Sequence, residues 1–343
     1  MKGETAASLA VHLPVAAQSS LDRLVDLGVR AERLGYGRVW LPETWGRDAV
    51  TTLALLSART ERIGLGSSLF TVYSRSPALV GQTAATLQEA AGGRFRVGLG
   101  PSGPAVVERW HGVDFERPLR RTREYVDIVR QVLSGERVSY DGDCFELDGF
   151  RLRCDPPETP PPVDVGGMGP KAVELAGRFA DGWHAIMCSP DGLRSRFDDL
   201  ERGASLGGRA VDDVRTTLVL PCAVSERAEH ARRLVTAHVA FYVGGMGTFY
   251  RDALERQGYP VASAHAAWQD GDRDAARDVV ETFVDDLAVS GTPDDAQAAL
   301  ARFRAVDGLD EVAIAFPRGA TVDDIETTMR VLSPESSGRN RRT

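Results

Sequence analysis

Four stretches of this chain combine residue types and spacings that could do chemistry. The first is Trp40-Leu-Pro-Glu-Thr-Trp-Gly-Arg-Asp48, where a carboxylate, Glu43, stands between two tryptophans, Trp40 and Trp45. In a dry pocket against those rings Glu43 could give or take a proton. A solvated loop carboxylate is the plainer reading. The second is Gly166-Gly-Met-Gly-Pro-Lys171. Its glycines free backbone N–H groups to converge, Pro170 opens a helix whose positive end favours an anion, and Lys171 adds a charge. A phosphate site and a simple strand-to-helix turn both remain open.

The third stretch, Gly98-Leu-Gly-Pro-Ser-Gly103, formally matches the dinucleotide fingerprint G-x-G-x-x-G. Pro101 removes an N–H where a pyrophosphate would be cradled. An acidic residue is also wanted ~20 positions on, where Pro118–Arg123 stand instead. A strand-to-helix turn fits better, and one whose glycines let a flat ring approach the backbone fits better still. The fourth is Trp110-His111-Gly112 with Asp114. Imidazole carries protons readily near neutral pH, so His111 is a second possible acid; a structural histidine is the alternative. Cys144, Cys154, Cys188 and Cys222 form no Cys-x-x-Cys pair, so neither a disulfide framework nor a metal site is expected.

The elements that must position these residues alternate strand with helix. Apolar strands are expected at Ser8–Leu13, Arg38–Leu41, Ile63–Phe70, Phe95–Leu99, Val163–Val165, Trp183–Met187, Thr216–Val224 and Glu311–Phe316. Helical spacing recurs between them: Leu21, Leu24, Leu27, Ala31 and Leu34 form one apolar face, and helices are expected over 49–59, from Pro77, and over 120–133, 170–179, 190–206 and 226–242. Val280, Phe283, Val284 and Leu287 share a further helix face, and Thr292-Pro293 starts another helix. Gly/Asp/Pro-rich sequence near 135–162 and irregular sequence near 244–274 read as insertions. Such alternation fits either a doubly wound sheet or a closed barrel. Glycine-rich and polar residues follow several different strands, as at the catalytic end of a (β/α)8 TIM barrel, so one α/β barrel domain over 1–334 with a disordered tail over 335–343 is expected.

The 343-residue chain is 43% hydrophobic and 26% charged, with a formal net charge of -8. No basic stripe precedes the tail, which argues against nucleic acid. No apolar run approaches the ~20 residues of a membrane span. Glu4 and Pro14 interrupt what would otherwise read as a signal peptide, and a cytoplasmic protein is expected.

Taken together, the motifs resemble the luciferase-like monooxygenase superfamily. Those that carry the resemblance are Leu41–Asp48, Tyr73-Ser-Arg-Ser-Pro77 with Gln82–Leu87, Gly92–Gly100, Gly166–Ala172, Ala180-Asp-Gly-Trp183 and Ser290-Gly-Thr-Pro293. Within it they are most similar to the deazaflavin-dependent branch that includes methylene-tetrahydromethanopterin reductase. The resemblance implies a bacterial-luciferase-like barrel, often a homodimer, with the cofactor ring at the C-terminal mouth. It implies phosphate capture by Gly166, Gly167, Met168, Gly169, Pro170 and Lys171, and a non-prolyl cis peptide at Ser68–Leu69 behind the ring. Ser68, Leu69, Thr71, Ser102 and Gly103 are the further cofactor contacts expected, and Glu43, His111 and Trp45 the catalytic group. The sequence departs from the reductase at Glu43-Thr44 and Thr71-Val72, which speaks against a pterin substrate. An FMN monooxygenase must also stabilise a peroxide adduct, usually with a His or Cys near the ring, and Thr44 occupies that place. The expected activity is therefore hydride transfer between coenzyme F420 and a small organic substrate, at a C–OH, C=N or C=C centre. An FMN-dependent monooxygenase and a non-catalytic deazaflavin-binding protein are the alternatives.

Overall fold

The computed structural model describes residues 6–15 and 20–339. Eight parallel strands alternate with helices: β1 (Ser8–His12), β2 (Arg38–Leu41), β3 (Gly64–Ser67), β4 (Phe95–Gly100), β5 (Val163–Gly166), β6 (Gly182–Ile186), β7 (Arg215–Val224) and β8 (Glu311–Ala315). Neighbours pair in chain order, and β8 pairs back onto β1 through Val11 and Ile314, so the sheet closes. Closure decides for a (β/α)8 barrel over an open doubly wound sheet, because no topological switch point exists.

Local sequence explains most boundaries. Ser20, Asp48, Ser76, Ser189, Thr292 and Thr321 each accept a first-turn N–H, and several helices open on proline: Pro77, Pro118, Pro170, Pro190 and Pro293. Two expected elements differ. The third strand is not continuous to Phe70: a cis peptide at Ser68–Leu69 breaks it, and Phe70–Thr71 resumes beside β4. The shared face of Val280, Phe283, Val284 and Leu287 is buried, but its α-helix ends at Glu281 and a 3-10 turn, Val284–Asp286, continues it. A short strand, Val289–Gly291, extends the sheet beside the end of β7.

The segment 135–162 holds an antiparallel hairpin, Val138–Asp141 with Glu146–Phe150, over Ile128 and Val132. The segment 244–274 adds helices Thr248–Glu255 and Val261–Gln269, which pack Leu254 and Val261 against Val239 and Val243. Where a tail was expected from 335, residues 334–339 form a short helix that opens on Pro334, with the Ser336 hydroxyl donating to the carbonyl of Val331. Residues 340–343, the rest of the expected tail, lie outside the described residues. Among the described residues, no helix is long and apolar enough to cross a membrane.

The lumen is plugged rather than open. The fully buried Trp40 indole lies among Ala10, Val219, Ala313 and Ala315, whose small side chains leave it room. Trp40 is thus a lumen residue, not part of a loop pocket around Glu43. Its Nε1–H donates to Glu311 at 2.7 Å, and Arg215 meets the same carboxylate at 3.1 Å.

Candidate active site

Barrel chemistry is placed where strands end, and here His12 at the end of β1 and His184 in the middle of β6 both meet Ser68, just past β3. His12 closes β1, and its Nε2 lies 3.0 Å from the Ser68 carbonyl oxygen. A carbonyl can only accept, so Nε2 carries the hydrogen and Nδ1 is left bare in the neutral ring. The Ser68 hydroxyl lies 3.0 Å from Nδ1 of His184, whose Nε2 lies 3.2 Å from Asp164. Arg96 grips both oxygens of that carboxylate, at 3.0 and 2.5 Å. With Asp164 ionised, His184 donates from Nε2 and accepts the Ser68 hydroxyl at Nδ1. Arg96, Asp164, His184 and Ser68 therefore form one oriented chain that rises through the lumen to the cis peptide.

The electrostatics agree. Burial pushes the Asp164 carboxyl up, but the His184 hydrogen bond and the Arg96 guanidinium outweigh it and hold the group at about 2. Burial pushes His12 down to about 4; the Ser68 carbonyl opposes this and His184 adds to it. His238 is likewise pushed to about 4 by burial, then by His12 and Arg318, and its Nδ1 accepts the Arg318 backbone N–H at 3.0 Å.

The side chain of Leu69 explains the glycines of two motifs. A Cβ on Gly98 would strike the Ser67 carbonyl oxygen first and stand 2.8 Å from Leu69 Cδ2, and one on Gly100 would stand 2.6 Å from Leu69 Cδ1; a Cβ on Gly166 would also strike Cδ1. The room at Gly98 is filled by the Ser67 carbonyl and Leu69 and that at Gly100 by Leu69, which corrects the expectation that a flat ring uses it. Gly98–Gly103 does not sit at a switch point either. Ser102 has a left-handed φ of 61°, as does Met187 at 51°, so uncommon backbone follows both β4 and β6 at the mouth. Gly103 caps a short helix, Pro104–Arg109.

Glu43 is not walled by tryptophans. Its carboxylate accepts from the Thr71 N–H at 3.2 Å, from the Ser74 hydroxyl at 2.9 Å and from Arg75 Nε at 2.8 Å. Arg75 also reaches Asp48, the N-cap of helix Ala49–Arg59, at 2.5 Å. The partners of the Glu43 carboxylate are all donors, so the group is tied down as an acceptor that anchors the loop after Thr71. Thr71 itself is buried, and its hydroxyl accepts the Tyr73 N–H. Trp45 is 41% exposed and Trp110 64% exposed, too open to dry a pocket by themselves. His111 follows the short helix and is partly exposed.

The Gly166–Lys171 turn enters helix Pro170–Phe179. Gly167 is hemmed in by Ala172, while Gly169 opens toward the Arg256 guanidinium, 3.9 Å from where a Cβ would be. Gly169 is the N-cap, and no side chain caps this helix. Its first-turn N–H groups lack the acceptor that serine, threonine or aspartate supplies to other helices of the chain. A narrow cavity of about 20 Å³ lies beside the turn, lined by Gly167, Met168, Trp183, Arg196 and Arg256 among others. A much larger cavity, about 740 Å³, opens at the opposite end of the barrel by Arg96, Arg130 and Arg215. Those arginines are already paired with Asp164, Asp181 and Glu311, and the strands begin rather than end there.

Sequence reasoning missed His12, Asp164, His184, His238, Arg75 and Arg256. The signal for Asp164 and His184 was present: each is a polar residue inside an otherwise apolar strand, Val-Asp-Val and Trp-His-Ala. Arg256 lies in the irregular insertion, where no periodicity marked it.

The model of the family described as luciferase-like monooxygenase matches residues 2–310. A protein of Mycobacterium tuberculosis, provisionally named a coenzyme F420-dependent oxidoreductase, is 33% identical over 82% of this chain and 87% of its own length. The 5,10-methylenetetrahydromethanopterin reductase of Archaeoglobus fulgidus is 31% identical over 77% of this chain and 81% of its own. The solved structure of the coenzyme F420-dependent tetrahydromethanopterin reductase from Methanopyrus kandleri superposes with a TM-score of 0.82, covering 96% of this chain and 98% of that one at 21% identity, a likeness of fold.

Proposed function

The chain belongs to the luciferase-like monooxygenase family, and we propose that it is an oxidoreductase exchanging hydride between the deazaflavin coenzyme F420 and a small organic substrate. What carries this reading is the identity of about a third, over roughly four-fifths of the chain, with relatives named for that coenzyme. The turn at Gly169–Lys171 fits the coenzyme's phosphate: the helix end is uncapped, and the side chains of Lys171 and Arg256 supply positive charge beside it. The ring would lie at the mouth, over the Ser68–Leu69 peptide, where Leu69, Gly98, Gly100 and Gly166 make a close-packed floor. Bound there, a deazaflavin supplies a two-electron hydride carrier that reacts poorly with oxygen. The chain's own part is to hold the phosphate, to back the ring and to manage one proton.

FMN also carries a phosphate, so the turn alone does not separate the two cofactors. Titrating the purified chain with coenzyme F420 and with FMN, and following cofactor absorbance, separates them. Tighter binding of F420 is expected. Tighter binding of FMN would replace this reading with a flavin monooxygenase. Tight F420 binding without turnover of alcohols, imines or enones would leave a binding protein.

A further inference from the structure

Resting on that cofactor reading, we propose that His12 is the residue that exchanges a proton with the substrate, through Nδ1, and that Asp164, His184 and Ser68 position it. His12 is the last residue of β1, at the mouth, and keeps a partly accessible surface. Its Nε2–H is committed to the Ser68 carbonyl. Among the described residues its Nδ1 makes no hydrogen bond to another residue, and apart from the Ser68 carbonyl the backbone that bears on the ring is that of His12 itself.

The tautomer is enforced from below. The Ser68 hydroxyl is held by His184, His184 by Asp164 and Asp164 by Arg96. These bonds fix the residue whose carbonyl fixes His12. The ionisable groups that bear on the ring are His184 and His238, with Arg318 beyond His238. Together with burial they keep the imidazole uncharged at neutral pH, free to accept. Glu43, the acid expected from sequence, has its oxygens taken by Thr71, Ser74 and Arg75.

The chemistry balances for a small alcohol. As the C–H pair departs as hydride to the cofactor, the O–H pair becomes the second C–O bond and the freed proton passes to Nδ1. In reverse, the imidazolium returns that proton to the carbonyl oxygen. A ring this reluctant to be a cation takes the proton only once hydride departure has acidified the O–H, and returns it readily.

The full chain labelled with isotopic histidine tests this by nuclear magnetic resonance. The His12 ring, assigned by its disappearance in His12→Asn, is expected at neutral pH as the Nε2–H tautomer with an unprotonated Nδ1. Isopropanol, used as a probe alcohol with coenzyme F420 present, should shift the Nδ1 resonance as its O–H donates there, and leave His184 in place. The asparagine variant keeps an amide N–H for Ser68 and should bind the coenzyme as before, while alcohol turnover falls about 10²–10⁴-fold. An Nδ1–H tautomer, an Nδ1 resonance indifferent to the alcohol, or full turnover by His12→Asn overturns the proposal. Failure of the unaltered chain to perturb the coenzyme's absorbance overturns the cofactor reading instead, and the tautomer is read without the coenzyme.

Discussion

Glu43 and Arg75 meet at 2.8 Å, and this ion pair ties the end of the second barrel strand to the loop that follows the third. Both side chains are mostly buried, Glu43 at 10% and Arg75 at 22% exposed, so solvent screens the pair only in part. Arg75 is held from a second side by Asp48, and the Tyr125 hydroxyl donates to its backbone carbonyl at 2.9 Å. The acid expected from sequence is thus an anchor of the mouth.

Glu43→Ala should therefore act first on stability. Losing charge-assisted hydrogen bonds typically costs about 1.5–3 kcal/mol, which should lower the melting temperature by a few degrees and weaken cofactor binding through the loosened loop at Thr71. Thermal unfolding measures the first effect and absorbance titration the second. A variant that melts like the parent would show that the pair anchors nothing.

The glycines under Leu69 should behave as one packing unit with it. Gly100→Ala places a methyl 2.6 Å from Leu69 Cδ1 and should cost roughly 1–3 kcal/mol by overpacking. Leu69→Ala removes the obstacle, so the double variant should be more stable than the two single effects predict. Denaturant unfolding of all four proteins gives the coupling; simple additivity would contradict the packing account.

Stability should fall with acid in two windows. His12 and His238 are depressed from 6.5 to about 4, so below 6.5 the unfolded chain binds protons that the folded chain refuses, and stability drops as pH falls through that interval. Asp164 is depressed from 3.8 to about 2, so its contribution is present above 3.8 and is lost as pH falls toward 2. Asp164→Asn should flatten the lower window. It should also be strongly destabilising at neutral pH, by about 3–5 kcal/mol, because it leaves Arg96 buried without its charge partner. Equilibrium unfolding measured across the acid range checks the signs; a stability that rises on going from pH 6.5 to 4 would refute the histidine assignment.

Arg256 should matter to cofactor phosphate and to little else. Arg256→Ala removes a guanidinium beside Gly169 without opening the core, since the residue is exposed. Affinity for coenzyme F420 should fall roughly 10–100-fold, as expected for one charge-assisted contact, and the loss should shrink at high salt. Unchanged affinity at low salt would move the phosphate elsewhere.

The sequence by itself determined the eight strands, most of the helices and their caps. These rest on local causes: apolar runs, helical spacing, and Ser, Thr, Asp or Pro at helix starts. It also located the turns after β2, β4 and β5, because glycine and proline mark turns wherever they fall. The cis peptide at Ser68–Leu69 was reached only through resemblance, since nothing in Ser-Leu itself demands it.

Tertiary structure decided what the marked residues do. Glu43 looked like an acid between tryptophans until the fold brought Arg75 to it from 32 positions away. Gly98 and Gly100 looked like room for a ring until the Ser67 carbonyl and the Leu69 side chain filled it. Asp164 and His184 lie within two strands, His12 ends a third and Ser68 follows a fourth, and no spacing along the chain joins them. The closed barrel joins them, because it points alternate residues of separate strands into one lumen. There a carboxylate is held ionised by Arg96 and a histidine by that carboxylate, and each relation depends on distances that the linear order of residues does not contain.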